Sequence, residues 1–151
     1  MKFSLHSHCS GDAAVPAALR KEVESAITAI PLRPSLGAAP KLRDAFLAHL
    51  KTSGWSSELA VAQGSDITIT SVKNEIGLCL QTGNMARIYA DLIKLQTLYL
   101  NNAIKAAVIV VPSEPAAKLL GSNIAQDRRL IRELDIFKKA YHVPTVIFAL
   151  E

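Results

Sequence analysis

Most of the features that place a chain at a glance are missing here. Two cysteines in 151 residues, Cys9 and Cys79, are too few for a disulfide framework, and reduced thiols in a cytoplasm are the simpler reading. No apolar run approaches the ~20 residues a membrane-spanning helix needs. The stretch from Met1 to Asp12 carries charge, histidine and serine without the apolar centre of a signal peptide. A soluble cytoplasmic protein is therefore expected, with no membrane partner. There is no Walker loop, GxGxxG, GxSxG or HExxH, which removes the commonest signatures of nucleotide binding, serine hydrolysis and zinc proteolysis. Repeats and low-complexity tracts are absent too. What is present is 50% hydrophobic and 20% charged, which argues against disorder. The length suits one ordinary domain over residues 1–151. The net charge of +4 and pI near 9.2 permit a polyanionic partner such as DNA without demanding one.

Apolar spacing divides the chain into elements. Leu19, Val23, Ala26 and Ile30 recur at helical intervals between Val15 and Ile30. Pro31, Pro34, Gly37 and Pro40 then break the chain. A second helix is expected from Pro40 to Thr52, with Leu42, Phe46 and Leu50 on one face and Gly54 as its stop. The period then shortens. Leu59–Gln63 reads as a short strand, and Ile67 to Val72 alternates as a strand with one apolar face. Lys73-Asn74-Glu75 supplies turn residues, and Ile76–Gln81 returns to complete a hairpin. Asn84 can cap a helix running to about Leu100, whose apolar positions are Met85, Ile88, Leu92, Leu95 and Tyr99. Ala106–Val111 reads as a buried strand. A helix capped by Ser122 or Asn123 presents Leu130, Leu134, Phe137 and Tyr141, and Val143–Leu150 is a last buried strand. A hairpin followed by alternating helices and strands predicts an α/β fold, a mixed central sheet flanked by helices.

The hairpin is the place to look for chemistry. With Asn74 and Glu75 as the turn, Thr70 faces Cys79 and Thr68 faces Gln81, so all four side chains share one face. The other face, with Ile67, Ile69, Leu78 and Leu80, is expected to be core. The cluster His6, Ser7, His8 and Cys9 raises the possibility of zinc, but a structural site needs four ligands and no second pair has the spacing. A polar amino-terminal strand and its turn is the preferred reading.

The stretch ITITSVKNEIGLCLQTGNMARIYADLIKLQTLYLNNAIKAAVIVVPS resembles the active-site region of BglII-like type II restriction endonucleases, members of the PD-(D/E)XK nuclease superfamily. The opening MKFSLHSHCSGDAA and the ending GSNIAQDRRLIRELDIFKKAYHVPTVIFALE are also similar to that group. The resemblance is firm from about Ser71 to Leu150 and looser before it. It implies a restriction-endonuclease-like core, Mg²⁺-dependent hydrolysis of DNA phosphodiester bonds, double-stranded DNA as partner, and a homodimer. The family pattern asks for an aspartate at the end of the first hairpin strand. On the second strand it asks for a glutamate and, two residues on, a polar group that is often glutamine. Carboxylates on one hairpin face can jointly hold a divalent cation beside the scissile phosphate.

Carried over to this chain, those catalytic positions are Thr70, Cys79 and Gln81, of which only Gln81 matches. A hydroxyl, a soft thiol and an amide carry no net negative charge and are expected to hold Mg²⁺ poorly. Asp66 and Glu75 are the substitute metal ligands nearest in sequence. Each is displaced roughly 13 Å along its strand from the expected site, in opposite directions. Glu22 or Glu24 of the first helix is a more remote source of a carboxylate. For DNA, Asn84 and Arg87 lie where the helix after the hairpin begins beside the site. Arg128, Arg129, Arg132, Lys138 and Lys139 populate the polar side of the last helix, and Lys41, Arg43 and Lys51 the second. For the last helix, a solvated face with i,i+4 pairs is an equally good account, and Arg87 has Asp91 as a possible partner. Three readings follow: a restriction endonuclease with reduced or lost catalysis, an inactive DNA-binding or regulatory homolog of the same fold, or a structural or dimerisation module.

Overall fold

The computed structural model describes residues 1–151. The chain opens with strand β1 (Phe3–His8) and a four-residue helical turn α1 (Gly11–Ala14). Val15, extended at φ −86° and ψ 118° as the residue before a proline tends to be, separates α1 from helix α2 (Ala17–Thr28). Gly11 is there for space: a Cβ at this position would overlap the backbone of Thr145, so α1 could not lie against the start of the last strand. Helix α3 (Ala39–Thr52) carries Pro40 in its first turn, where the missing N–H costs nothing.

Two two-residue strands, β2 (Leu59–Ala60) and β3 (Thr68–Ile69), pair antiparallel in a small separate sheet. Strands β4 (Ser71–Lys73) and β5 (Ile76–Leu80) form the hairpin. Lys73 pairs with Ile76 and Ser71 with Leu78, so the two-residue turn is Asn74-Glu75, as the sequence predicts. Both turn residues have positive φ, 48° and 61°, the conformation a twisted two-residue hairpin requires. Helix α4 (Arg87–Leu100), strand β6 (Ala106–Pro112), helix α5 (Glu114–Leu120), helix α6 (Asp127–Phe137) and strand β7 (Thr145–Leu150) complete the chain.

The five-stranded sheet has the order β1-β7-β6-β5-β4. Its centre, β5-β6-β7, is parallel, and an antiparallel strand closes each edge. The predicted mixed sheet flanked by helices is therefore the architecture found. Residue parity divides the core in two. Leu78, Leu80, Val108, Val110 and Phe148 pack with α2 and α3. Cys79, Ala107, Ile109, Val111 and Ile147 pack on the other side with α4 and α6. Each fully buried Leu, Ile or Phe contributes about 1.5–3 kcal/mol of transfer free energy. A polar tie adds to the first layer: Glu22 of α2 accepts hydrogen bonds from Trp55 Nε1 at 2.8 Å and from Lys73 Nζ at 2.7 Å.

Several expectations need correction. The strand Ile67–Val72 is broken at Thr70, with β3 on one side in a different sheet and β4 on the other. Ile67 is exposed, and Ile69 belongs to the layer with Cys79 rather than with Leu78 and Leu80. The strand Leu59–Gln63 shrinks to Leu59–Ala60. Helix α6 starts later than expected, because Gln126 supplies the cap by accepting from Arg129 N at 3.2 Å. Helix α5 was not foreseen, although Ser113 caps it and Pro115 occupies its first turn. The amino-terminal cluster is the polar strand and turn preferred over zinc: His8 is buried with its Nε2 3.0 Å from Tyr141 O, and Ser7 bonds Asp12.

Candidate functional site

A cleft of about 480 Å³ opens where β5 gives way to α4. Three stretches of chain build it. The start of α3 brings Ala39, Pro40 and Arg43, the β2–β3 region brings Glu58, Thr68, Ile69 and Thr70, and the segment from Leu80 to Lys94 brings the rest. Ladder geometry explains why Gln81 sits at its edge. Gln81 N still donates to Val110 O at 2.9 Å, extending the parallel pairing one residue past β5, so the side chain is held at the carboxyl end of the central strands. That end is the usual location of ligand sites in open α/β sheets.

Of the expected polar cluster, the structure brings Thr68, Thr70 and Gln81 to the cleft but not Cys79. Cys79 is 1% exposed and points into the α4–α6 layer. Burial pushes its thiol well above the ordinary cysteine range, and the nearby Asp91 carboxylate adds to the shift. The expectation of a wet hairpin face fails because β5 is central and covered on both sides. The all-apolar run IGLCL carried that signal: a strand with one solvated face would alternate with polar residues. Thr70 remains at the cleft because the chain bends there, and its Oγ1 accepts the Leu80 backbone N–H at 3.0 Å.

Gln81 is anchored at both ends of its amide. Oε1 accepts from Gly83 N at 3.0 Å, and Nε2 donates to Asp91 Oδ2 at 2.8 Å. Asp91, 7% exposed, also takes Lys94 Nζ at 3.1 Å on its other oxygen. The pair foreseen between Arg87 and Asp91 is therefore made by Lys94 instead. Arg43 bonds Leu80 O and Glu58, each at 3.4 Å. Arg87 is exposed and in no ion pair. Three cations, Arg43, Arg87 and Lys94, thus share the cleft with two carboxylates, Glu58 and Asp91.

The remaining candidates lie elsewhere. Glu75 is in the hairpin turn, paired with Lys105 at 2.7 Å, and Asp66 is exposed in the loop before β3; neither lines the cleft. Glu22 is engaged with Trp55 and Lys73, and Glu24 lies by another shallow hollow. Asn84 is exposed just before α4, and its Oδ1 accepts from Ala86 N at 2.8 Å. Arg128 pairs with Glu114 at 3.0 Å, and Arg129 with Glu133 at 2.7 Å and with the Tyr89 hydroxyl at 3.0 Å. Neither arginine reaches the cleft. From sequence, Arg87, Asp91 and Lys94 read alike, as phosphate contacts or as the solvated face of a helix, and the spacing did not show that Lys94 rather than Arg87 would pair with Asp91.

The donor chemistry bears on a metal. A magnesium site wants several anionic oxygens free to turn toward one point. Here the Thr70 hydroxyl is spent on a backbone amide, Gln81 is bonded at both ends, Asp91 already faces an ammonium, and Glu58, the other carboxylate of the cleft, is shared between Arg43 at 3.4 Å and the Thr68 hydroxyl at 3.3 Å. Cys79 is soft, buried and protonated, and no three His, Cys, Asp or Glu side chains are arranged to hold an ion. The residues present do not fit Mg²⁺.

The five-stranded mixed sheet, with a cleft at the carboxyl end of its central strands, defines an open-sheet α/β protein. A family model described as restriction endonuclease BglII/BglIII matches residues 3–150, and the chain belongs to that family. Among solved structures it is similar to restriction endonuclease BglII complexed with a DNA 16-mer: TM-score 0.84, 16% identity, covering 99% of this chain and 76% of the other. It is also similar to free BglII: TM-score 0.73, 17% identity, covering 100% and 80%. No curated protein matches by sequence. No helix is long and apolar enough to cross a membrane.

Proposed function

We propose that this chain is a DNA-binding member of the restriction-endonuclease family that engages double-stranded DNA at the β5–α4 cleft and does not hydrolyse it with Mg²⁺. One observation carries the reading. The two positions where the family pattern asks for acids hold Thr70, whose hydroxyl is committed to Leu80 N, and Cys79, whose thiol is buried, while three cations line the same cleft. Such a surface attracts phosphate but lacks the oxygens that would assemble a metal-bound nucleophile. Family membership supports DNA as the partner, and a BglII structure holding DNA shares the fold.

A homodimer goes with this reading. Ile93 and Phe137 are exposed along an apolar groove between α4 and α6, and Ile136 beside them is 68% exposed, a surface suited to a second copy. The two core layers share one sheet, which supports a single domain over residues 1–151. A cytoplasmic setting is in keeping with the two unpaired thiols.

Gel shifts in chelator set beside plasmid cleavage with Mg²⁺ or Mn²⁺ test the proposal. Retarded duplex with supercoiled plasmid left intact is the expected result. Nicked or linear plasmid that depends on the metal would instead establish a restriction endonuclease of reduced activity. Sedimentation analysis reads the dimer, and a monomer at tens of micromolar would overturn that part.

A further inference from the structure

We infer that Lys94 is a built-in cation of the cleft and that, with Arg87 and Arg43, it binds phosphate oxygens without any divalent metal. The inference deepens the proposed function and rests on that reading for its natural ligand, the DNA backbone.

Burial and hydrogen bonding carry it. A carboxylate as buried as Asp91 is costly unless neutralised and bonded. Both its oxygens are used, one by Gln81 Nε2 at 2.8 Å and one by Lys94 Nζ at 3.1 Å. Asp91 thereby fixes the ammonium at the cleft wall rather than leaving it to wander in solvent. An ammonium has three N–H donors, and the side chain is 24% exposed, so donors remain for an anion entering the cleft. Arg87 lines the same cleft with no ion pair to break, and Arg43 has only two long contacts to give up, with Glu58 and with Leu80 O, each at 3.4 Å. A nuclease active site of this family is expected to stabilise phosphate charge through bound metal. Here protein cations share the cleft with Thr70, one of the two positions where the family pattern asks for an acid, so the same attraction comes from the chain itself. A lysine needed only to offset Asp91 would leave phosphate binding indifferent to its replacement by a neutral side chain of similar length.

The experiment uses the full chain in EDTA. A short random-sequence duplex is titrated over a salt series for the wild type, Lys94→Gln, Arg87→Gln and Asp91→Asn. Lys105→Gln, at the opposite end of β5, is the control. In parallel, thermal unfolding is followed with added inorganic pyrophosphate. The wild type should bind equally well in EDTA and in Mg²⁺ at matched ionic strength. Lys94→Gln and Arg87→Gln should each lower the slope of log K against log salt by about 0.9, the value for one phosphate contact. Asp91→Asn removes the charge that fixes the Lys94 ammonium and should weaken binding, and Lys105→Gln should change nothing. Pyrophosphate should raise the wild-type Tm but not that of Lys94→Gln. Duplex binding in EDTA with unchanged slopes and a Lys94-independent pyrophosphate effect would overturn the cleft and leave the DNA-binding reading standing. Lys94-dependent pyrophosphate binding without any duplex binding would do the reverse. Binding that requires Mg²⁺ would overturn the inference. Arg87→Gln removes no intramolecular ion pair, so it remains informative if Lys94→Gln fails to fold.

Discussion

Reinstating the two acids, as Thr70→Asp with Cys79→Glu, perturbs stability and metal binding in ways the structure sets. Thr70 is half-buried, and its oxygen already accepts the Leu80 N–H, a role an aspartate oxygen can keep. Cys79 is different. At 1% exposed, it has no room for the longer glutamate side chain, and overpacking of this kind costs about 1–3 kcal/mol. The new carboxylate would also be desolvated beside the like-charged Asp91, with Lys94 and Arg43 near enough to offset part of the cost. We expect the double variant to lose roughly 2–5 kcal/mol without metal. For a chain of this size each kcal/mol moves Tm by about 2–4 °C. A metal held at last by two carboxylates would return about 2.7 kcal/mol at a hundredfold excess over its Kd. Scanning calorimetry with and without MgCl₂ at constant ionic strength measures both effects. The wild-type Tm should not respond to Mg²⁺, whereas the double variant should start lower and recover. A wild-type Tm that climbs with Mg²⁺ would refute the argument from donor chemistry. An undiminished Tm in the double variant would refute the argument from burial.

Three other outcomes follow from particular contacts. Gly11→Ala sets a Cβ against the Thr145 backbone, which cannot move aside as a side chain can, so urea unfolding should show a loss of about 3 kcal/mol or more. Of the two thiols, Ellman's reagent should titrate the exposed Cys9 in the native protein and reach Cys79 only in denaturant; two rapid thiols would contradict the packing of β5. Desolvation works to raise the Glu133 carboxyl, but hydrogen bonds from Arg129 and Tyr89 and the charges of Arg129 and Arg132 outweigh it and hold it below its ordinary value. A folded-state value below the unfolded one stabilises above the unfolded value, ~4.3, and that contribution is lost as pH falls through the folded one. Acid unfolding of the wild type should therefore be steeper than that of Glu133→Gln between about pH 5 and pH 3, and identical profiles would rule out the contribution.

The sequence by itself determined whatever depends on neighbours along the chain. Asn74 marks the hairpin turn because asparagine tolerates the positive φ that a two-residue turn needs, a local preference, whereas Glu75 takes positive φ without one. The helical spacing of Ile88, Leu92 and Leu95, and the short continuous apolar runs Ala106–Val111 and Val143–Leu150, the latter found as Thr145–Leu150, declared the mixed α/β fold by spacing, length and composition. The positions of the missing acids were equally legible, since they are a matter of spacing in β5 and the strand before it. Only the tertiary structure decided what those positions face. Whether Cys79 is wet or dry depends on α4 folding back over the second side of β5 and on α6, which lies far along the chain, completing the cover. That Asp91 chooses Lys94 over Arg87 depends on Gln81 arriving from the strand end to bond its other oxygen. Arg43 joins the cleft because α3 packs across the sheet and directs it at Leu80 O. Periodicity reports which side of an element is apolar. It cannot report which distant element covers that side, because burial and partner choice arise only when separate segments compete for the same space.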